Sequence, residues 1–248
     1  MAENHTIYLR LVDAEDPEVR AACELGWLNA VETGCMRACP GVRECTRYAI
    51  GRCLMRQLVA DVRDCDPAEV ALDEPLPGRA ARVPPDARVV WSQDERWLAM
   101  ALTADRPIAL EVAPVRPAGS WRRLRHAIAT PEESCWLDAL PRRERPAALS
   151  RLRALKVAWL RAVGGASERD LAAISVIDAQ GRCARRISGP SGDWFLAEAP
   201  TYNADVRLAL AARTASVGEG EEPVIERWDA SGIANPRDRR ANSLCRTE

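Results

Sequence analysis

Residues Arg143 to Gly165 read RERPAALSRLRALKVAWLRAVGG. Ala148, Leu152, Leu155, Trp159 and Ala162 fall four, three, four and three residues apart, the spacing of one apolar helical face. Gly164-Gly165 closes the run. The pattern predicts the longest helix of the chain over about Arg143–Val163. Upstream, Thr130-Pro131-Glu132-Glu133 is a helix start, with Thr130 as N-cap, proline at the first helical position and acids in the first turn. Strand-like runs follow at Ala173–Asp178, Trp194–Ala197, Val206–Ala211 and Val224–Trp228.

The first part of the chain repeats this plan. A short apolar stretch, Ile7–Val12, leads to a predicted helix over Pro17–Val31, punctuated by Gly34. A stronger helix begins after Pro40-Gly41 and carries Val42, Ala49, Cys53 and Ala60 on one face, with Ile50 and Leu54 beside them. Pro75, Pro77, Pro84 and Pro85 exclude a helix interior. Runs at Arg88–Ser92, Trp97–Thr103 and Pro107–Val112 read as strands, and Pro114 and Pro117 break the chain near its middle. The expected fold is α+β, with two similar α/β halves over 1–110 and 111–228. A polar, turn-rich tail, expected to be disordered, occupies 229–248.

At 248 residues the chain has room for one or two compact units. Lys+Arg 35 against Asp+Glu 36 leaves a net charge of -1, without the basic field of a nucleic-acid binder or the polybasic patch of a membrane-surface protein. The longest apolar runs, such as Trp97–Leu102, are far shorter than the ~20 residues of a spanning helix. No basic segment followed by an apolar one opens the chain, so a cytoplasmic location is expected. Nine cysteines, odd in number and irregularly spaced, do not form a disulfide framework. Cys35, Cys39, Cys45 and Cys53 match no standard zinc or iron–sulfur spacing and read as small buried hydrophobes, with Cys53 in the core stripe and Cys45 toward its edge. Cys35 and Cys39 flank a predicted loop. Of the two histidines, His5 lies near the terminus and His126, in an arginine-rich helix end, reads as a polar surface residue.

The order of these segments resembles the 4′-phosphopantetheinyl transferases of the surfactin type, over residues 5–228. Arg47-Tyr48-Ala49-Ile50-Gly51-Arg52, then Leu54, Arg56, Leu58 and Asp66-Pro67-Ala68-Glu69-Val70, is similar to the family's first-half helix and the turn after it. Residues 107–117, PIALEVAPVRP, are similar to the strand G-V-D-x-E-P-x-R-P. Residues 130–133 match S/T-P-x-E, and residues 151–164, RLRALKVAWLRAVG, resemble R-L-W-x-x-K-E-A-x-x-K-x-x-G. The resemblance implies halves related by a pseudo-twofold, with coenzyme A and Mg²⁺ between them. It also implies an acyl or peptidyl carrier protein as partner, whose serine receives the phosphopantetheine group.

The sequence departs from the family where the chemistry is concentrated. Family S-H-S is Ser92-Gln93-Asp94 here, and glutamine brings no positive charge. Family D-x-E is Glu111-Val112-Ala113, so one metal carboxylate is lengthened and the other absent. Family K-E-A is Lys156-Val157-Ala158, and valine neither binds metal nor accepts a proton. Arg153 stands where the family has tryptophan. The family-equivalent catalytic positions are thus Gln93, Glu111, Ala113, Lys156 and Val157. Glu111 is the remaining metal candidate, with binding weak or lost.

Lys156 is the only lysine. Beside the apolar face of its helix, it is expected to pack its stem and extend its ammonium toward a phosphate, or to be an ordinary surface lysine. Arg43/Arg47 and Arg52/Arg56 project to nearly opposite faces of their helix. The resemblance favours Arg47 and Arg52, with Lys156, as coenzyme A contacts; a solvated face is the bland alternative.

The functional expectation is a divergent phosphopantetheinyl-transferase-like protein without normal transferase activity. It would keep a cleft for coenzyme A or a carrier protein in a biosynthetic pathway. One alternative is an active transferase with an atypical Mg²⁺ site drawing on Glu111, Glu132 or Glu133. Another is an enzyme repurposed for a different reaction in the same cleft.

Overall fold

A computed structural model describes residues 6–72, 81–83, 87–104, 106–116, 121–164, 168–178, 181–189, 192–199, 201, 203–214 and 224–227. The predicted tail, 229–248, lies outside them, as does His5. Two sheets and six α-helices form a mixed α+β architecture among these residues.

The first sheet contains β1 (Thr6–Asp13), β2 (Ala81–Val83), β3 (Ala87–Gln93), β4 (Trp97–Thr103) and β9 (Val224–Arg227), in the order β2-β3-β4-β1-β9. The second contains β5 (Ile108–Pro114), β6 (Arg186–Gly189), β7 (Gly192–Ala199) and β8 (Val206–Arg213), in the order β5-β8-β7-β6. All neighbours are antiparallel except β1 and β9, which pair in parallel.

Strand β4 shows how the layers form. It is buried along its whole length because both faces are covered. Leu98, Met100 and Leu102 pack with Ile50, Leu54 and Leu58 of helix α3 (Val42–Arg63), while Trp97, Ala99 and Ala101 face the second sheet. There they meet Leu110 and Val112 of β5 and Leu208 and Leu210 of β8. The far face of the second sheet presents Ala113, Ala209 and Ala211 to Leu152 and Leu155 of helix α6 (Arg145–Ala162). The order is therefore helix, sheet, sheet, helix, and each long helix rests on its own sheet. At about 25 cal/mol per Å² of apolar surface buried, these three clusters are the principal source of stability.

Several expectations need correction. The single helix over Pro17–Val31 is three pieces: α1 (Pro17–Ala21), a 3-10 turn at Leu25–Trp27, and α2 (Ala30–Arg37) with Gly34 inside it. Asp16 caps α1, and Asn29 and Glu32 start α2 with a reciprocal capping box, so a second N-terminal signal lies within what the periodicity treats as one element. The strand expected over Ala173–Asp178 is the end of a 3-10 helix and a loop, held by one bridge between Ile177 and Cys183. Val42, placed on the core face of α3, is 85% exposed in the first turn. A boundary at 110/111 falls inside β5, and β9 returns from the second half to the first sheet. Helices α4 (Trp121–Ile128) and α5 (Pro131–Ala139) connect β5 to α6, with Thr130 capping α5 as expected.

Helix α3 lies close against the side chain of Trp91, on strand β3, at Gly51. A methyl group there would overlap the six-membered ring of the buried Trp91, which also meets Tyr48 edge-on with ring centroids 6.3 Å apart. Gly51→Ala is expected to destabilise the protein by about 1–3 kcal/mol through overpacking, more than the helix-propensity gain of alanine. A lowered urea midpoint would report this; an unchanged midpoint would show that α3 can retreat from the sheet.

Candidate functional site: a clamped carboxylate where the sheets meet

Strand β5 is an edge strand of the second sheet and runs beside β3 of the first. Alternation turns Leu110 and Val112 between the sheets and turns Glu111 and Ala113 toward α6. Glu111 is thereby buried against a helix, and both of its oxygens have partners. Arg153 Nη1 pairs with Oε1 at 2.8 Å, and Arg161 Nη1 pairs with Oε2 at 2.6 Å. Ser92 Oγ donates to Oε2 at 2.8 Å.

The same side chains satisfy the open edge of β5. The Val112 N–H donates to Ser92 Oγ at 3.1 Å, and Arg161 Nη1 donates to the Leu110 carbonyl at 3.0 Å and to Ser92 Oγ at 3.2 Å. An edge strand pressed against another sheet must find such partners, because buried backbone polar groups left unpaired are expensive. Arg153, Val157 and Arg161 are four residues apart in turn and share one helical face. Buried Val157 stands between the two arginine stems, which close on Glu111 from either side.

This donor set does not fit Mg²⁺. The ion needs near-octahedral oxygen ligands. Both Glu111 oxygens are already paired with guanidinium groups, and the side chains of Ala113 and Val157 contain no oxygen. Among the described residues no group of three or more His, Cys, Asp or Glu is arranged to hold a metal.

The other candidate residues are dispersed. Gln93 is exposed at the end of β3, next to Ser92 but outside the clamp. Lys156 does not extend into a cleft. It is 0% exposed, and its Nζ donates to the carbonyls of Ile128 at 2.6 Å and Leu171 at 2.9 Å and pairs with Glu133. Glu133, also fully buried, accepts from the N–H groups of Val176 and Thr130, at 3.0 and 2.9 Å. Burial pushes the Lys156 ammonium below its usual range, and Glu133 opposes that shift. These two residues bind α5, α6 and the 3-10 helix together, with no ammonium donor left for a ligand. Glu132 is exposed at the first turn of α5.

Arg52 is likewise inside the protein. Its Nε donates to Glu32 Oε1 at 2.5 Å, while Arg56 Nη2 donates to Oε2 at 2.6 Å. Arg56 also bonds the Val70 carbonyl. Arg47 lies at the other face of α3, bonded to the Glu95 carbonyl at 3.0 Å and paired with Glu44 at 3.3 Å. Arg47 and Arg52 therefore do not converge. Cys53 is buried and Cys45 half-buried, as their helical positions suggest, and the eight cysteines among the described residues are free thiols. His126 is exposed on α4.

Arg161 and the junction role of Ser92 were missed by sequence reasoning. The available signal was the Arg153/Val157/Arg161 spacing opposite a lone acidic residue in an otherwise apolar strand. No protein-family model matches the chain, and no curated protein matches it either. Among the described residues no helix is long and apolar enough to cross a membrane.

Two stability tests separate the buried ion pairs from ligand binding. Burial alone would raise the Glu32 carboxyl, but the Asn29 N–H, Arg56 and Arg52 together hold it below the ordinary carboxylate range. A lowered folded-state pKa contributes stability above the unfolded-state pKa and loses it as pH falls. Glu32→Gln is therefore expected to be less stable at neutral pH and to lose less stability below about pH 5 than the parent. Denaturant titrations at both pH values would show parallel losses if Glu32 did not contribute. Lys156→Met breaks a buried pair and is expected to destabilise by about 3–5 kcal/mol. A ligand-binding defect at unchanged stability would return Lys156 to a ligand-facing role.

Proposed function

We propose that this chain is a divergent phosphopantetheinyl-transferase-like protein that lacks normal transfer activity and keeps an interaction with coenzyme A or an acyl or peptidyl carrier protein. On this reading its halves are related by a pseudo-twofold, and it acts in a cytoplasmic biosynthetic pathway. The observation that carries the loss of activity is the clamp on Glu111. The one carboxylate remaining in the D-x-E-like segment is neutralised by Arg153 and Arg161, and Val157 occupies the place of a second carboxylate. Transfer from coenzyme A by the family's chemistry requires a metal on the diphosphate and a base for the carrier serine. Neither is supplied by alanine or valine, and loss of a general base alone lowers rates by about 10²–10⁴.

Support for a retained interaction is the resemblance in segment order together with two basic side chains that reach the surface at the junction. Arg153 is 29% exposed and Arg161 32% exposed. The test is incubation of the full chain with coenzyme A, Mg²⁺ and apo carrier proteins, followed by intact-mass measurement. We expect no gain of the phosphopantetheine mass by any carrier. Holo-carrier formation at a rate typical of transferases would overturn the reading, and would leave the clamp to be explained as a resting arrangement.

A further inference from the structure

Arg161 uses one nitrogen, Nη1, for Glu111, Ser92 and the Leu110 carbonyl. These contacts fix the guanidinium against β5 while about a third of the side chain, 32%, stays exposed. Among the described residues, Nη2 and Nε make no hydrogen bond. A guanidinium oriented by a buried carboxylate, with an N–H edge toward solvent, suits a planar or tetrahedral oxyanion and takes it by paired hydrogen bonds. Arg153 approaches the other oxygen of the same carboxylate, so a second cation lies at the junction.

We propose that this junction is a metal-independent site for a phosphate or diphosphate group, with Arg161 as its main contact. The proposal rests on the reading of the chain as phosphopantetheinyl-transferase-like only in naming coenzyme A as a source of the diphosphate. The charge that a divalent cation would bring to the phosphates is brought by a fixed guanidinium, and Glu111 serves to hold it. Binding is then indifferent to Mg²⁺, because the charge of the one carboxylate at the clamp is already taken up by two guanidinium groups.

Isothermal titration of the full chain with pyrophosphate and with coenzyme A, each in EDTA and in Mg²⁺, tests the site. Pyrophosphate is expected to bind in EDTA, with affinity altered by less than about threefold on adding Mg²⁺. Arg161→Gln should weaken it at least tenfold, about 1.4 kcal/mol. Arg143→Ala, at a side chain 87% exposed and paired with its neighbour Glu144, should match the parent. Should Arg161→Gln fail to fold by circular dichroism, Arg161→Lys is the second variant. It keeps the charge, loses the planar fork, and should still weaken binding severalfold. Absence of pyrophosphate binding in the parent, binding only with Mg²⁺, or undiminished affinity in the folded Arg161 variant would overturn the site. Pyrophosphate binding without coenzyme A binding would support the site and count against coenzyme A as its ligand. Holo-carrier formation would overturn the proposed function without touching metal-independent binding.

Discussion

Strand β5 lies where the two sheets meet, and one of its edges has no strand partner. An edge in that position is largely withdrawn from water, so its backbone groups must be paired by side chains. Ser92 comes from the first sheet, Arg161 comes from α6, and Glu111 holds both in place. The ion cluster is thus a three-way fastening of sheet, sheet and helix. Its members are fixed by one another, which is why the carboxylate at the heart of the junction is structural in character. A metal ion would compete for oxygens that already neutralise two guanidinium groups.

Two more buried ionic clusters repeat this economy. Glu32 bridges Arg52 and Arg56 and draws α2 onto α3. Glu133 pairs with Lys156 and also receives two backbone N–H groups, joining the start of α5 to the middle of α6. Removing charges from water is unfavourable, and such clusters return little net stability compared with apolar replacements. Their contribution is geometric: each satisfies backbone groups at a helix start or loop that no regular element could pair. The solitary lysine belongs to this class. An ammonium offers three donors in a tetrahedral arrangement, and here all three point at oxygens of separate segments.

The sequence was legible wherever periodicity coincided with an amphipathic element. Strand β4 spans the residues expected of it, and α6 begins and ends within two residues of its reading. Thr130 caps α5 because its hydroxyl and the Glu133 carboxylate answer each other across one turn, a purely local signal. The region from Pro17 to Arg37 misled the same reasoning. The restart at Asn29 carries the same local signal, a capping box with Glu32, but the 3-10 turn at Leu25–Trp27 before it divides what the apolar spacing treats as one helix. Strand β9 presents a different difficulty: its parallel partner is β1, at the opposite end of the chain.

For the candidate site, residue identities alone were enough to see what the chain lacks: Gln93, Ala113 and Val157 bring neither a cation nor an oxygen ligand of the kind the resemblance calls for. They also established the apolar faces of both long helices apart from Val42 in the first turn of α3, since a 3.6-residue period depends only on neighbours along the chain. Which of the charged residues would meet was decided by tertiary structure. Arg52 and Lys156 turned inward and Arg153 and Arg161 converged on Glu111, because a long side chain takes the direction in which a buried partner of opposite charge is found. That partner lies 20 residues away for Arg52, 23 for Lys156, 42 for Arg153 and 50 for Arg161, separations at which only the folded chain determines proximity.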